Sequence, residues 1–110
     1  MLNTYDSLDS PLPGHPNRHK LPGIEANTSF LGHGLAIGGG MALAGKIDEK
    51  NYKVYVLMGD GEITEGSVWE AAELANHYKL DNLIAIIDRN GFQIQGNTKD
   101  VLDAGPLLKK

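Results

Sequence analysis

Residues 54–61 read Val-Tyr-Val-Leu-Met-Gly-Asp-Gly, and residues 83–91 read Leu-Ile-Ala-Ile-Ile-Asp-Arg-Asn-Gly. Each apolar run has the length and composition of a buried strand in a parallel sheet. The segment between the runs is long enough for the helix that usually connects two parallel strands. Asp60 and Asn90 therefore follow the carboxyl ends of neighbouring strands, where open α/β sheets bind ligands. This stretch predicts an α/β fold with a ligand site at that edge.

The remaining sequence predicts how the rest of the chain is organised around this central parallel βαβ unit. Residues 1–28 are rich in Pro, Gly and Asn, which excludes a long helix there. Small and apolar residues recur at three- and four-residue steps over residues 31–46 and predict a helix. We therefore expect a single domain over residues 1–110, with an ordered active-site loop region over residues 1–28 and an α/β core over residues 29–110.

The central unit yields more detailed expectations about its helix and strands. The helix is predicted over residues 67–79, with Ser67 as its N-cap and Glu70 as the capping-box partner. The strands are predicted over residues 53–58 and 83–87. Because the second run is continuously apolar, we expect that strand to be covered on both faces.

Composition and charge exclude several functional classes. The 110 residues carry a formal net charge of −4 at pH 7, so the chain lacks the basic surface that nucleic-acid binding needs. The chain has no cysteine, which excludes disulfides and thiolate zinc sites. The amino terminus does not resemble a signal peptide, and the longest apolar region, residues 30–45, is too short to span a bilayer. We expect a cytoplasmic protein that binds neither nucleic acid nor membranes.

Two near matches to phosphate-binding motifs fail on residue chemistry and context. Residues 40–46 have the spacing of a P-loop, but Ile47 replaces the Ser or Thr that binds magnesium, and the segment ends a predicted helix. Residues 32–34 read Gly-His-Gly, like the start of a dinucleotide-binding motif. Ile37 occupies the third glycine position of that motif, however, and no strand precedes it. We therefore assign no nucleotide site to either segment.

The Gly-Asp-Gly turn is more informative because of its position. Gly and Asp are also common in ordinary turns, so the tripeptide alone does not distinguish a binding site from a simple turn. Here it follows a predicted buried strand, and an Asn-Gly pair follows the next strand. The carboxylate of Asp60 and the amide oxygen of Asn90 suit a magnesium ion that also binds a diphosphate. Gly61 permits the close approach of a phosphate to the backbone.

Several short motifs along the chain carry a family resemblance. They are Leu12-Pro13-Gly14-His15-Pro16, Pro22-Gly23-Ile24-Glu25-Ala26-Asn27-Thr28, Leu31-Gly32-His33-Gly34-Leu35, Gly59-Asp60-Gly61-Glu62, Glu65-Gly66, Trp69-Glu70-Ala71-Ala72 and Asp88-Arg89-Asn90-Gly91. Together they resemble the amino-terminal thiamine-diphosphate-binding section of transketolases, including bacterial enzymes encoded as two subunits. The resemblance extends over roughly residues 2–105.

The resemblance implies a cofactor and a metal ion, namely thiamine diphosphate with Mg²⁺, or Ca²⁺ or Mn²⁺ in its place. The implied metal ligands are Asp60, Asn90 and the backbone carbonyl of Phe92. The implied cofactor-binding residues are Ser29, Phe30, Leu31, Gly59, Gly61 and Asn90.

The resemblance also implies a reaction, the transfer of a two-carbon ketol unit between sugar phosphates. His15 matches a catalytic histidine that stabilises charge on substrate oxygens. Glu65 matches a catalytic glutamate at the dimer interface, in an acidic relay between active sites. A solvated carboxylate at a helix start, which the helix dipole also favours, remains the alternative for Glu65.

The sequence departs from the family pattern in places and covers only part of it. His33 replaces the usual Gln, and Ser29-Phe30 replaces a more common Gly-Pro pair. The family domain extends beyond both ends of this chain, and a separate domain supplies the glutamate that activates the cofactor. We therefore expect a homo-oligomer or a complementary carboxy-terminal transketolase subunit. A non-catalytic cofactor- or metal-binding module, or a fragment of another thiamine-diphosphate enzyme, remains the alternative.

Overall fold

The computed structural model describes residues 2–105, which form two compact units that divide after Phe30. The first unit begins with a 3₁₀ turn, Leu2–Thr4, and continues as turns and loops. Its polar side chains bind its own backbone. The carboxylate of Asp6 accepts a hydrogen bond from the Gly14 N–H at 3.1 Å, and the amide oxygen of Asn27 accepts one from the Arg18 N–H at 2.9 Å. These bonds give the proline-rich segment a defined path without regular secondary structure.

The second unit contains the helices and strands of the chain. They are α1 (His33–Ile47), β1 (Val54–Gly59), a 3₁₀ turn (Glu62–Thr64), α2 (Gly66–His77), β2 (Leu83–Asp88), β3 (Phe92–Gln93), β4 (Gly96–Asn97) and α3 (Thr98–Val101). β1 and β2 pair in parallel, with Val54 opposite Leu83 and Gly59 opposite Asp88. This pairing confirms the predicted α/β class and the parallel βαβ unit. Within residues 2–105, no helix has the length and apolar character needed to cross a membrane.

The core of the second unit lies between one face of the β1–β2 sheet and the two long helices. Val56 and Met58 are buried against Leu35 of α1 and Val68 of α2. The glycines of α1 allow this packing, because a Cβ atom at Gly38 would collide with the side chain of Val56. Packing therefore stabilises a glycine-rich helix that is intrinsically weak.

The opposite face of the sheet is apolar and largely exposed. The side chains of Tyr55, Leu57, Ile84 and Ile86, which we call the outer sheet face, alternate with the core residues and share a face in the observed register. The expectation that residues 83–87 are covered on both faces is therefore wrong for the described part of the chain, where Ile86 is 46% exposed. Within residues 31–105, the packed core involves only one face of this sheet.

The predicted cap of α2 is also wrong. The helix begins at Gly66, and its N-cap is Glu65, which makes no side-chain capping bond. Ser67 therefore lies inside the first turn, where its hydroxyl donates a hydrogen bond to the Gly32 carbonyl at 3.1 Å instead. The side chain thus joins α2 to the start of α1.

Candidate functional site

Asp60 lies directly after β1 and is fixed by two bonds to the segment that follows β2. Its N–H donates to the Asp88 carbonyl at 3.1 Å, and its Oδ2 accepts from the Gly91 N–H at 3.0 Å. The residue is 8% exposed, and its Oδ1 is buried without a hydrogen-bond partner in the described chain. A buried carboxylate with one unpaired oxygen is costly unless another group approaches it.

Asn90 lies at the same edge, within an Asx turn. Its Oδ1 accepts from the Phe92 N–H at 2.9 Å, and its Nδ2 donates to an Asp88 carboxylate oxygen at 3.1 Å. Gly91 has a φ of +78°, which a residue with a side chain rarely adopts. The turn places the backbone N–H of Gly91 on Asp60, so Asp60, Asn90 and Phe92 belong to one connected cluster.

A short hairpin closes this edge. β3 and β4 pair antiparallel, with Phe92 opposite Asn97 and Gln93 opposite Gly96. The side chain of Gln93 packs on Gly61 so closely that a Cβ atom on Gly61 would lie 2.8 Å from it. Sequence reasoning missed the hairpin and the role of Gln93, because two-residue strands are too short to carry a periodic pattern.

Glu62 connects the Gly-Asp-Gly turn to α1. One carboxylate oxygen accepts from the Gly32 N–H at 2.9 Å, and the other accepts from the Gly59 N–H at 3.3 Å. Gly32 is the N-cap of α1 and has a φ of +80°. Sequence reasoning did not identify this contact, since the pair is thirty residues apart and no local pattern indicates it.

The other predicted site residues are divided between the two units. His15, Ser29 and Phe30 belong to the first unit, where they line an open cavity of about 690 Å³ together with Asn17 and Asn27. Leu31 and Glu65 belong to the second unit, and both are exposed. Leu31 directly precedes the Gly32 peptide that Glu62 holds. Glu65 forms the N-cap of α2, with its Cβ close to Gly32.

The residues at the sheet edge fit a bound cation. The unpaired Oδ1 of Asp60 is an available anionic ligand, and the Asn90 oxygen retains a second lone pair beyond its bond to Phe92. Residues 2–105 contain no group of three or more His, Cys, Asp or Glu side chains that could hold a metal. One carboxylate with neutral oxygens suits a cation that keeps further ligands from water or a phosphate, as Mg²⁺ does.

Comparison with known sequences finds one matching family model and several close relatives. The model for the transketolase thiamine diphosphate binding domain matches residues 1–106. An apulose-4-phosphate transketolase subunit of Actinobacillus succinogenes is 57% identical over 109 residues, which is 99% of this chain and 40% of the relative. The protein of the same name from Phocaeicola vulgatus is 58% identical over 102 residues, 93% of this chain and 36% of the relative. The chain thus spans about two fifths of these relatives.

Comparison with solved structures gives the same result for the fold. The transketolase of Campylobacter jejuni superposes with a TM-score of 0.80 and 36% sequence identity. The match covers 98% of this chain and 18% of the solved chain.

Proposed function

This chain belongs to the transketolase family, through its thiamine diphosphate binding domain, and we propose that it holds the diphosphate and metal end of the cofactor. The observation that carries the proposal is the unpaired, buried Oδ1 of Asp60 at the carboxyl edge of the β1–β2 sheet. A divalent cation would supply the missing partner. The chemistry of the donor set favours Mg²⁺, with Ca²⁺ or Mn²⁺ as substitutes.

We assign the cation to Asp60, the Asn90 side-chain oxygen and the Phe92 backbone carbonyl. Asp60 contributes the only charge, so the site retains attraction for a diphosphate bound to the same ion. Gly59, Gly61 and Asn90 would contact the diphosphate, and Ser29, Phe30 and Leu31 would line the cofactor. The Gln93 side chain packs against Gly61, so this position of the turn admits only a glycine.

The proposed reaction is the transfer of a two-carbon ketol unit between sugar phosphates. When bound, the cofactor supplies the nucleophilic carbon, and the protein supplies binding, orientation and electrostatics. His15 would stabilise charge on substrate oxygens, an effect that preorganised polar groups provide strongly in enzymes. Glu65 would act in an acidic relay between neighbouring active sites. Its exposed position at the start of α2 leaves it accessible to a second polypeptide.

The proposal extends to the partners and the location of the protein. Two relatives are named as single subunits of apulose-4-phosphate transketolases, which supports a sugar phosphate substrate and a complementary subunit. We propose that the chain functions with a complementary carboxy-terminal subunit or as a homo-oligomer in the cytoplasm, without nucleic-acid or membrane partners. We expect ketol transfer to require this partner in addition to the 110 residues of the chain.

Calorimetric titration of the chain with thiamine diphosphate tests the proposal, in the presence and absence of Mg²⁺. We expect binding that depends on Mg²⁺ and is lost in Asp60→Ala, since this substitution removes the only charged ligand. Asp48→Ala is the control, because Asp48 is exposed in the turn after α1. Undiminished binding by the Asp60 variant would refute the metal assignment. A coupled ketol-transfer assay, run with and without the complementary subunit, separates an enzyme component from a non-catalytic binding module. Turnover that requires both polypeptides identifies an enzyme component.

A further inference from the structure

Glu62 is a half-buried carboxylate that the proposed ligand set does not use. Each of its oxygens already accepts a backbone hydrogen bond, one from Gly32 and one from Gly59. Charge-assisted bonds of this kind are stronger than those between neutral groups. The side chain therefore joins the N-cap of α1 to the last residue of β1, directly before Asp60.

Gly32 is held at its carbonyl group as well as at its N–H. Its carbonyl accepts a hydrogen bond from the Ser67 hydroxyl. The packing around it is tight, because a Cβ atom on Gly32 would lie 2.5 Å from the Ser67 Oγ and 2.8 Å from the Glu65 Cβ. The backbone N–H and the carbonyl of Gly32 are thus both fixed, the first by a side chain from the 3₁₀ turn and the second by a side chain from α2.

We infer that Glu62 is a positioning residue, which together with Ser67 fixes the start of α1 relative to the Gly-Asp-Gly turn. Leu31, in the proposed cofactor-lining segment, precedes Gly32, while Gly59 and Asp60 belong to the proposed diphosphate and metal site. Glu62 therefore links two parts of the proposed site, although it is not one of the proposed ligands. This inference rests on the proposed function, since a single ligand has to contact both parts.

Glu62→Gln is the sharpest perturbation of this link. Glutamine keeps the length of the side chain but has one acceptor oxygen, so its NH₂ group would face one of the two backbone N–H donors. We expect thiamine diphosphate with Mg²⁺ to bind about tenfold more weakly or worse, as is typical when groups that orient metal ligands are lost. The melting temperature of the ligand-free variant should also fall, because one backbone N–H donor loses its acceptor.

Glu73→Gln is the matched control, because Glu73 is an exposed glutamate on α2 and the charge change is the same. Calorimetry supplies the affinities. The fluorescence emission of Trp69 gives a second readout of ligand binding. Its indole N–H donates to the carbonyl of Ile63, the residue after Glu62, at 2.8 Å. Weaker binding by Glu62→Gln with unchanged binding by Glu73→Gln supports the inference. Wild-type affinity in Glu62→Gln overturns it.

Ser67→Ala provides an independent test if Glu62→Gln fails to fold. It should also weaken binding, because its hydroxyl holds the Gly32 carbonyl. Where Glu62→Gln does fold, the two effects should be non-additive in a double-mutant cycle, because both side chains act on Gly32. Unchanged binding by Ser67→Ala would then overturn the inference.

Absence of binding by the wild-type chain would refute the proposed function instead. The link is then judged by amide hydrogen exchange of Gly32 in the ligand-free protein. Faster exchange in Glu62→Gln supports the link, and equal exchange overturns it.

Discussion

Replacing Asp60 with asparagine should stabilise the ligand-free protein and remove the stabilisation that a bound cation provides. The Asp60 side chain is buried, and its Oδ1 has no hydrogen-bond partner in the described chain. Leaving such a group unsatisfied costs about 1–3 kcal/mol, and more when the group is charged. Asparagine has the same shape, can still accept the Gly91 N–H, and carries no charge.

The expected gain from Asp60→Asn is about 1 kcal/mol, because the new NH₂ group lacks a partner but is cheaper to bury than a charge. For a domain of this size the gain corresponds to a melting temperature about 4–8 °C higher. Thiamine diphosphate with Mg²⁺ reverses the order. At a ligand concentration of about 100 times Kd, binding adds about 2.7 kcal/mol to the wild type, and it adds little to a variant that has lost the charged ligand.

Thermal melts followed by circular dichroism, with and without thiamine diphosphate and Mg²⁺, measure both effects. Asp48→Asn is the control, since it makes the same charge change at an exposed position. A lower melting temperature for ligand-free Asp60→Asn would refute the reasoning about the unpaired oxygen. An equal ligand-induced rise in both proteins would refute the assignment of Asp60 as a metal ligand.

Three further predictions concern the scaffold. Gly32→Ala should lower the free energy of unfolding by at least about 1–2 kcal/mol, because alanine is strained at a positive φ and its Cβ would collide with two side chains. Gly40→Ala is the control; it lies in α1 with open space around it and should raise the free energy of unfolding by about 0.5–1 kcal/mol. If urea unfolding shows that Gly32→Ala is as stable as the wild type, the packing argument is wrong. The Lys46 ammonium, 2.9 Å from the Asp81 carboxylate, hydrogen-bonds to it and attracts it, which lowers the pKa of Asp81. This stabilisation is therefore present above the usual aspartate pKa and lost as the pH falls through the lowered value, so Asp81→Asn should flatten that part of the acid unfolding curve, and identical curves would exclude the contribution. The chain should also associate at micromolar concentration through its exposed outer sheet face, and a compact monomer in analytical ultracentrifugation would contradict this.

The central unit could be predicted because its determinants are local. The runs at residues 54–58 and 83–87 are apolar enough to identify strands, and the structure places their bounds within one residue of those predicted. Parallel strands bring their carboxyl ends to one edge. This is why the contact between Asp60 and the Asn90-Gly91 turn follows from sequence, although the residues are far apart in the chain.

The contacts around α1 could not be predicted, because they depend on how the elements pack. Ser67 and Glu70 have the spacing of a capping box, and that local pattern led to the wrong assignment. The Ser67 hydroxyl binds the Gly32 carbonyl, thirty-five residues away, since α1 and α2 pack side by side. The exposure of the outer sheet face likewise depends on which segments surround β1 and β2, and a strand's own sequence does not contain that information.

Two carboxylates next to the same turn illustrate how hydrogen bonding separates a ligand from a positioning group. Asp60 and Glu62 each accept a backbone N–H from a distant segment, Asp60 from Gly91 and Glu62 from Gly32, and both therefore hold the edge of the sheet together. Each oxygen of Glu62 has a partner, so its charge is compensated within the protein. Asp60 has a partner on one oxygen and none on the other, although it is more deeply buried. Burying the unpaired oxygen of Asp60 costs free energy, and a bound cation would remove that cost. We therefore assign Asp60 as the metal ligand and Glu62 as the residue that positions the site.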